Sequence, residues 1–215
     1  QITVIGGTYR NNNIANVRLG TTGATVSDAT VVVDRETPGW GENNARGIRL
    51  RNRSGQVIEA CEITFGADAA DSFGGVVFHA DNGGATVRRT TITVDRASIP
   101  AIRTFPVAEP GNGAPTFEDC TIEGGAPDGV TARIEGRDGP VFEGCAIAGT
   151  GENRRGLLFR ESADCLITDS RIDVAERPVA VSAGSVTIED TTVVGPDGER
   201  RIDDWVLEDE ALPFE

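Results

Sequence analysis

The chain has 215 residues, of which 38% are hydrophobic and only 5% aromatic, which suits a narrow core lined by valine, isoleucine and small residues in one continuous body. Its 34 acidic residues face 20 basic ones for a net charge of −14, so it lacks the surplus of cations that releases phosphate counterions, and no nucleic-acid partner is expected. No apolar run approaches the roughly 18 residues that cross a bilayer, so no membrane span is expected, and no signal peptide stands at Gln1.

From the first residues onward a six-residue pattern recurs: apolar, two mostly polar, small, any, apolar. The copies begin at Val4, Val26, Ile58, Val87, Phe117, Phe142, Ile167 and Ile188, at spacings of 22, 32, 29, 30, 25, 25 and 21 residues. Each copy splits into two short strands, because apolar and small residues alternate onto one face while the polar pair interrupts them. The residue before the small slot is Gly6, Asp28, Asp119, Gly144, Asp169 or Asp190 in six of the eight copies, types that tolerate turn backbone, so a bend is expected there. A third strand follows most copies, at Val17–Leu19, Ile48–Leu50, Val76–Phe78, Val130–Ile134, Leu157–Phe159 and Val179–Val181. Turns such as Asn82-Gly83-Gly84, Arg137-Asp138-Gly139 and Ala183-Gly184-Ser185 then lead to the next copy. The connections after the second strand absorb most of the length variation; the largest are 34–46, 66–75 and 95–113. Beyond the last copy, Ile202–Leu207 and Leu212-Pro213-Phe214 supply apolar residues without the repeat, so 197–215 is expected to cap the open end of a repeat domain spanning 1–196.

Three short strands per coil, repeated every two to three dozen residues, stack as parallel sheets around one core. On these residues the chain resembles the right-handed parallel β-helix of the pectate-lyase-like superfamily. The expected fold is therefore an all-β right-handed solenoid of about eight coils with a non-repeat C-terminal cap. The resemblance is specific for fold and weak for activity, since adhesins, viral spikes, lyases and hydrolases share it. Every basic residue except His79 is arginine and lysine is absent. Heavy acidity without lysine resembles proteins of salt-loving archaea, in which the Debye length falls to about 3 Å at 1 M salt and self-repulsion is screened. The lack of methionine points to a processed form or part of a longer protein, and the bare repeat at Gln1 to a preceding domain or partner.

Four cysteines, Cys61, Cys120, Cys145 and Cys165, form no CxxC pair, and no metal site is read from them. Cys61, Cys120 and Cys145 share the small slot, so buried reduced thiols are expected, with Cys120 and Cys145 in adjacent coils near enough to bridge.

In the resembled superfamily the long loops border a groove floored by the outward face of the third strand. Outward positions there are Arg18, Arg49 and Arg51, His79, Arg103, Arg133 and Arg160, a column whose planar guanidinium groups suit carboxylates or sulfates of an acidic glycan. The plainer alternative is that these arginines pair with Glu135, Glu161 and Asp81 on a solvated sheet. Trp40, in a polar loop, is read as a ring that stacks on a sugar, with Phe73 and Phe105 extending the apolar platform. His79 is the one proton-transfer candidate with a near-neutral pKa.

Catalytic candidates are His79, Arg103, Arg133 and Asp81, none forming a recognised set. A polysaccharide lyase would need an arginine base and carboxylates such as Asp71, Asp81 or Glu109 holding Ca²⁺; a glycoside hydrolase would need paired carboxylates, and Asp203-Asp204 lies in the cap. The reading is accordingly a noncatalytic, adhesin-like or spike-like module, extracellular or on a cell or virion surface, that binds a polysaccharide or a surface protein through its stacked loops and needs no cofactor. Homotrimerisation is compatible with that shape. The alternatives are a lyase or hydrolase acting on acidic glycans, and a structural spacer.

Overall fold

The structure is a computed structural model that describes residues 2–12, 14–35, 46–69, 73–79, 82–95, 99–108, 113–124, 129–149, 155–196 and 198–210. Among these residues the chain is all strand and turn, with no helix. The first rung holds β1 (Thr3–Ile5), β2 (Thr8–Arg10) and β3 (Val17–Leu19). Next come β4 (Thr25–Ser27), β5 (Thr30–Val33) and β6 (Ile48–Leu50), then β7 (Gln56–Glu59), β8 (Glu62–Phe65) and β9 (Val76–Phe78). The middle rungs are β10 (Ala85–Arg88), β11 (Thr91–Val94) and β12 (Ile102–Thr104), followed by β13 (Thr116–Glu118), β14 (Thr121–Gly124) and β15 (Ala132–Glu135). The last full rungs are β16 (Val141–Glu143), β17 (Ala146–Ala148) and β18 (Arg155–Arg160), and β19 (Cys165–Thr168), β20 (Arg171–Asp173) and β21 (Arg177–Ser182). The long strands β22 (Ser185–Gly195) and β23 (Gly198–Glu208) end the described chain.

Every strand of one kind pairs in parallel with its counterpart in the next rung, and the repeat copies align position for position: Val4 faces Val26, Val87 faces Phe117, Phe117 faces Phe142, and Ile167 faces Ile188. The fold is thus the parallel β-solenoid expected. Its seven rungs are joined by about six turns, rather than forming the eight coils expected. The physical reason lies at the ends, where β1 and β2 form a largely exposed starting rung and β22 runs straight through both strand positions without closing a further coil.

The small slot is buried from Ala29 to Thr191 and carries its own hydrogen-bond ladder. Thr90, Ser170 and Thr191 each donate a hydroxyl hydrogen bond to the carbonyl two residues earlier, at 3.0, 2.8 and 2.7 Å. The same hydroxyls accept from the slot amide one rung before: Cys61 N on Thr90 at 3.3 Å, Cys145 N on Ser170 at 3.0 Å, Ser170 N on Thr191 at 3.4 Å. A small side chain with a hydroxyl or thiol suits the slot because it can pair an amide or carbonyl that the bend frees; Gly7 and Ala29, which have neither group, fill it in the first two copies. All four cysteines are free and buried, three of them in this ladder. Phe78, Phe117, Phe142 and Phe159 form a second internal column, with ring centroids 5.8, 4.5 and 6.1 Å apart in turn.

Arg137 is fully buried, which its place in a Gly/Asp turn does not announce. Its guanidinium donates to the carbonyls of Phe105 at 3.0 Å, Gly113 at 3.0 Å, His79 at 2.9 Å and Asn82, tying the turns of three rungs together. Burial alone holds its pKa down to about 10. At the far end β23 pairs antiparallel along the whole of β22, burying Ile202 and Leu207 against the last rung. β23 thus covers the edge of β22 that faces away from the preceding rung.

Candidate functional site

The third sheet runs β3-β6-β9-β12-β15-β18-β21, and its outward face forms the candidate site. Strand alternation buries the pairs Val17 and Leu19, Ile48 and Leu50, Ile102 and Thr104, and Ala132 and Ile134 inward, so the residue between each pair must point out. Register then places Arg18, Arg49, Val77, Arg103, Arg133, Leu158 and Ala180 on one line. Two residues further along lie Arg51, His79, Phe105, Glu135 and Arg160 on a second line. The single column expected from the sequence is thus two, with Val77 rather than His79 between Arg49 and Arg103. The stretch 95–113, expected among the long loops, contains β12, whose pairing sets Arg103 in register with Val77 and Arg133.

Two arginines not anticipated for this face join it. Arg46 is buried at 5% exposure, and Arg155 opens β18 in register with Arg177. Both stand directly before a glycine at the start of the third-strand region, Gly47 just ahead of β6 and Gly156 second in β18, an Arg-Gly signature at 46–47 and 155–156 that was available in the sequence. Glycine is needed at 47 because a Cβ there would lie 2.3 Å from the Gly75 carbonyl oxygen of the next rung.

The aromatic platform assembles from Phe73 and Phe105. Their rings meet edge to face at 5.5 Å, and they interleave with guanidinium groups: Arg46 lies 4.5 Å from the Phe73 centroid, Arg103 lies 5.3 Å from Phe73 and 4.6 Å from Phe105. His79 continues the stack at 5.8 Å from Phe105. Stacking occupies the guanidinium faces; in the plane, Arg46 Nη1 donates to the Ile14 carbonyl at 3.2 Å, while Arg103 Nε meets no acceptor among the described residues.

Electrostatically the face is unbalanced. Burial first, then Arg49 and Arg103, pull the Arg46 pKa down to about 10. Arg49 is lowered by burial and by Arg51 and Arg18, and Arg103 by burial and by Arg133, partly offset by Glu135. Like charges directly opposite on neighbouring strands, as Arg18 with Arg49 and Arg103 with Arg133, each cost up to about 1 kcal/mol. Glu135 relieves part of this: it accepts from Arg133 at 2.9 and 3.1 Å and sits 3.8 Å from Arg160. Arg49 Nε and Arg103 Nε are buried without a hydrogen-bond acceptor among the described residues. The paired arrangement weighed from the sequence is therefore seen for Arg133 and Arg160, with Glu161 3.7 Å from Arg160, and among the described residues no such pair forms at Arg49 or Arg103.

Trp40 and Asp81 lie outside the described residues, as do Asp71 and Glu109. Among the described residues no cluster of histidine, cysteine and carboxylates has the arrangement of a metal site. No helix there is long and apolar enough to cross a membrane. Comparison with protein-family profiles, curated proteins and solved structures gives no match, so the site is read from its own geometry.

Proposed function

We propose that the protein is a noncatalytic binding module for anionic glycans, using the arginine-rich face of the third sheet as its contact surface. One observation carries this reading: in a chain of net charge −14, buried Arg46 and Arg49 and half-buried Arg103 are gathered in one patch, Arg46 and Arg103 against aromatic rings, and Arg49 and Arg103 face no ion-pairing carboxylate among the described residues. A folded protein that bears the repulsion and burial of these cations gains it back when a ligand supplies the missing negative charge. Aromatic faces beside the cations suit the apolar faces of sugar rings.

An extended solenoid that displays such a face fits an adhesin-like or spike-like part presented outside the cell or on a virion. Lysine-free acidity supports operation at high salt. There, exposed Arg18 and Arg160 are screened, whereas Arg46, Arg49 and Arg103 retain their pull because burial limits screening. The test is surface plasmon resonance with immobilised sulfated and uronate-rich polysaccharides against neutral dextran. Saturable binding to the anionic chains alone, persisting at 1 M NaCl and weakened at least tenfold in Arg49→Gln/Arg103→Gln, is the expected result. Equal response to dextran, or an unaffected double variant, would contradict it.

A further inference from the structure

Resting on that reading, we infer that the cavity beside β12, β15 and β18 is a pocket for one tetrahedral oxyanion ester, a sulfate or phosphate monoester carried on a sugar ring. The cavity has a volume of about 210 Å³ and is lined by Arg103, Arg133 and Arg155 together with Pro100, Val130 and Leu158. Drug-sized ligand pockets run from roughly 300 to 1,000 Å³, so this one accommodates a single substituted ring rather than a length of polymer. The mixed wall matches a sugar that turns an apolar face one way and its ester the other.

The cations select the ester. A planar carboxylate offers two oxygens, which one guanidinium fork satisfies; a monoester offers three terminal oxygens, and arginines from three successive strands line this cavity. Arg103 is held by ring faces on Phe73 and Phe105, and its buried Nε meets no acceptor among the described residues. Arg133 spends Nε and Nη2 on Glu135, leaving Nη1 for a ligand. Glu135, through the same bond, prevents Arg133 from swinging away while the pocket is empty.

The experiment titrates glucose 6-sulfate, glucose 6-phosphate, glucuronate and glucose into the full chain by calorimetry at constant ionic strength. A 6-sulfate or 6-phosphate should bind saturably and at least tenfold more tightly than glucuronate, and whichever binds better identifies the ester. Arg103→Gln and Arg103→Lys should each lose at least tenfold, the second because a point charge cannot replace the fork, while Arg171→Gln on the second sheet should change nothing. Melting curves and amide spectra establish that the variants are folded. Glucuronate binding as tightly as both esters, or unchanged affinity in folded Arg103 variants, would overturn the pocket. Failure of both esters with polysaccharide binding intact would sink the pocket alone; failure of both kinds of binding would sink the wider reading with it.

Discussion

The bend before each small slot is where backbone geometry and residue type can be compared directly. Gly6, Asp28, Ala60, Arg89, Asp119, Gly144, Asp169 and Asp190 all have positive φ, between 45° and 67°. Glycine and aspartate accept that region; alanine and arginine pay about 1–2 kcal/mol for it. Ala60 is exposed and loses no packing on truncation, so Ala60→Gly should stabilise the protein by about 0.5–1 kcal/mol, read as a raised urea midpoint. A second expectation concerns Cys165, whose thiol pKa is pushed from 9.0 up to about 12 by burial and by Asp138 and Asp164. Between those values the unfolded chain releases the proton while the folded chain keeps it. The associated stability is complete below pH 9 and falls as pH rises toward 12, by at most about 1.4 kcal/mol per unit. Denaturation midpoints followed through alkaline pH should decline less steeply in Cys165→Ala.

Strands differ in how plainly the sequence declares them. The first and second strands of each rung were legible because their apolar positions recur in lockstep with the slot, and the six Gly or Asp residues marked the bend. Ala60 and Arg89 hid it in two copies, since the neighbours above and below impose the geometry that the residue itself resists. β12 was legible only through Arg103, read as an outward third-strand position without bounds for the strand: Ile102-Arg103-Thr104 lies between Pro100 and Pro106, in a stretch too short and too proline-rich to show alternation. Only pairing with β9 and β15 makes it a strand. β23 illustrates the opposite, an apolar run read as a cap without its antiparallel pairing. Its alternating charges, Arg200 and Arg201 followed by Asp203 and Asp204, suit an edge strand that must resist further pairing. Leu207, fully buried in β23, anchors it. Leu207→Ala should cost about 2–4 kcal/mol and speed hydrogen exchange in β23 before the first and second sheets are affected.

The whole molecule is a stack whose two ends and three faces have different characters. One end exposes Ile2 at 55% and Ile5 at 74% on the starting rung, while the other is closed by β23. The first sheet carries ion pairs such as Arg88 with Glu59 at 2.8 Å, and the third carries the under-neutralised arginines. That asymmetry was partly visible in the sequence, because outward positions can be counted along each third strand. The stack of Phe73 between Arg46 and Arg103 was not, because it joins three rungs through a loop, and neither was buried Arg137, since turn arginines ordinarily reach solvent. The central claim is that the third sheet is the binding face. Hydrogen–deuterium exchange of the full chain with and without a saturating sulfated oligosaccharide tests it most directly. The account predicts added protection at β6, β9, β12 and β15 and none on the outward strands of the first and second sheets; protection confined to those two sheets, or to the end at β1 and β2, would contradict it.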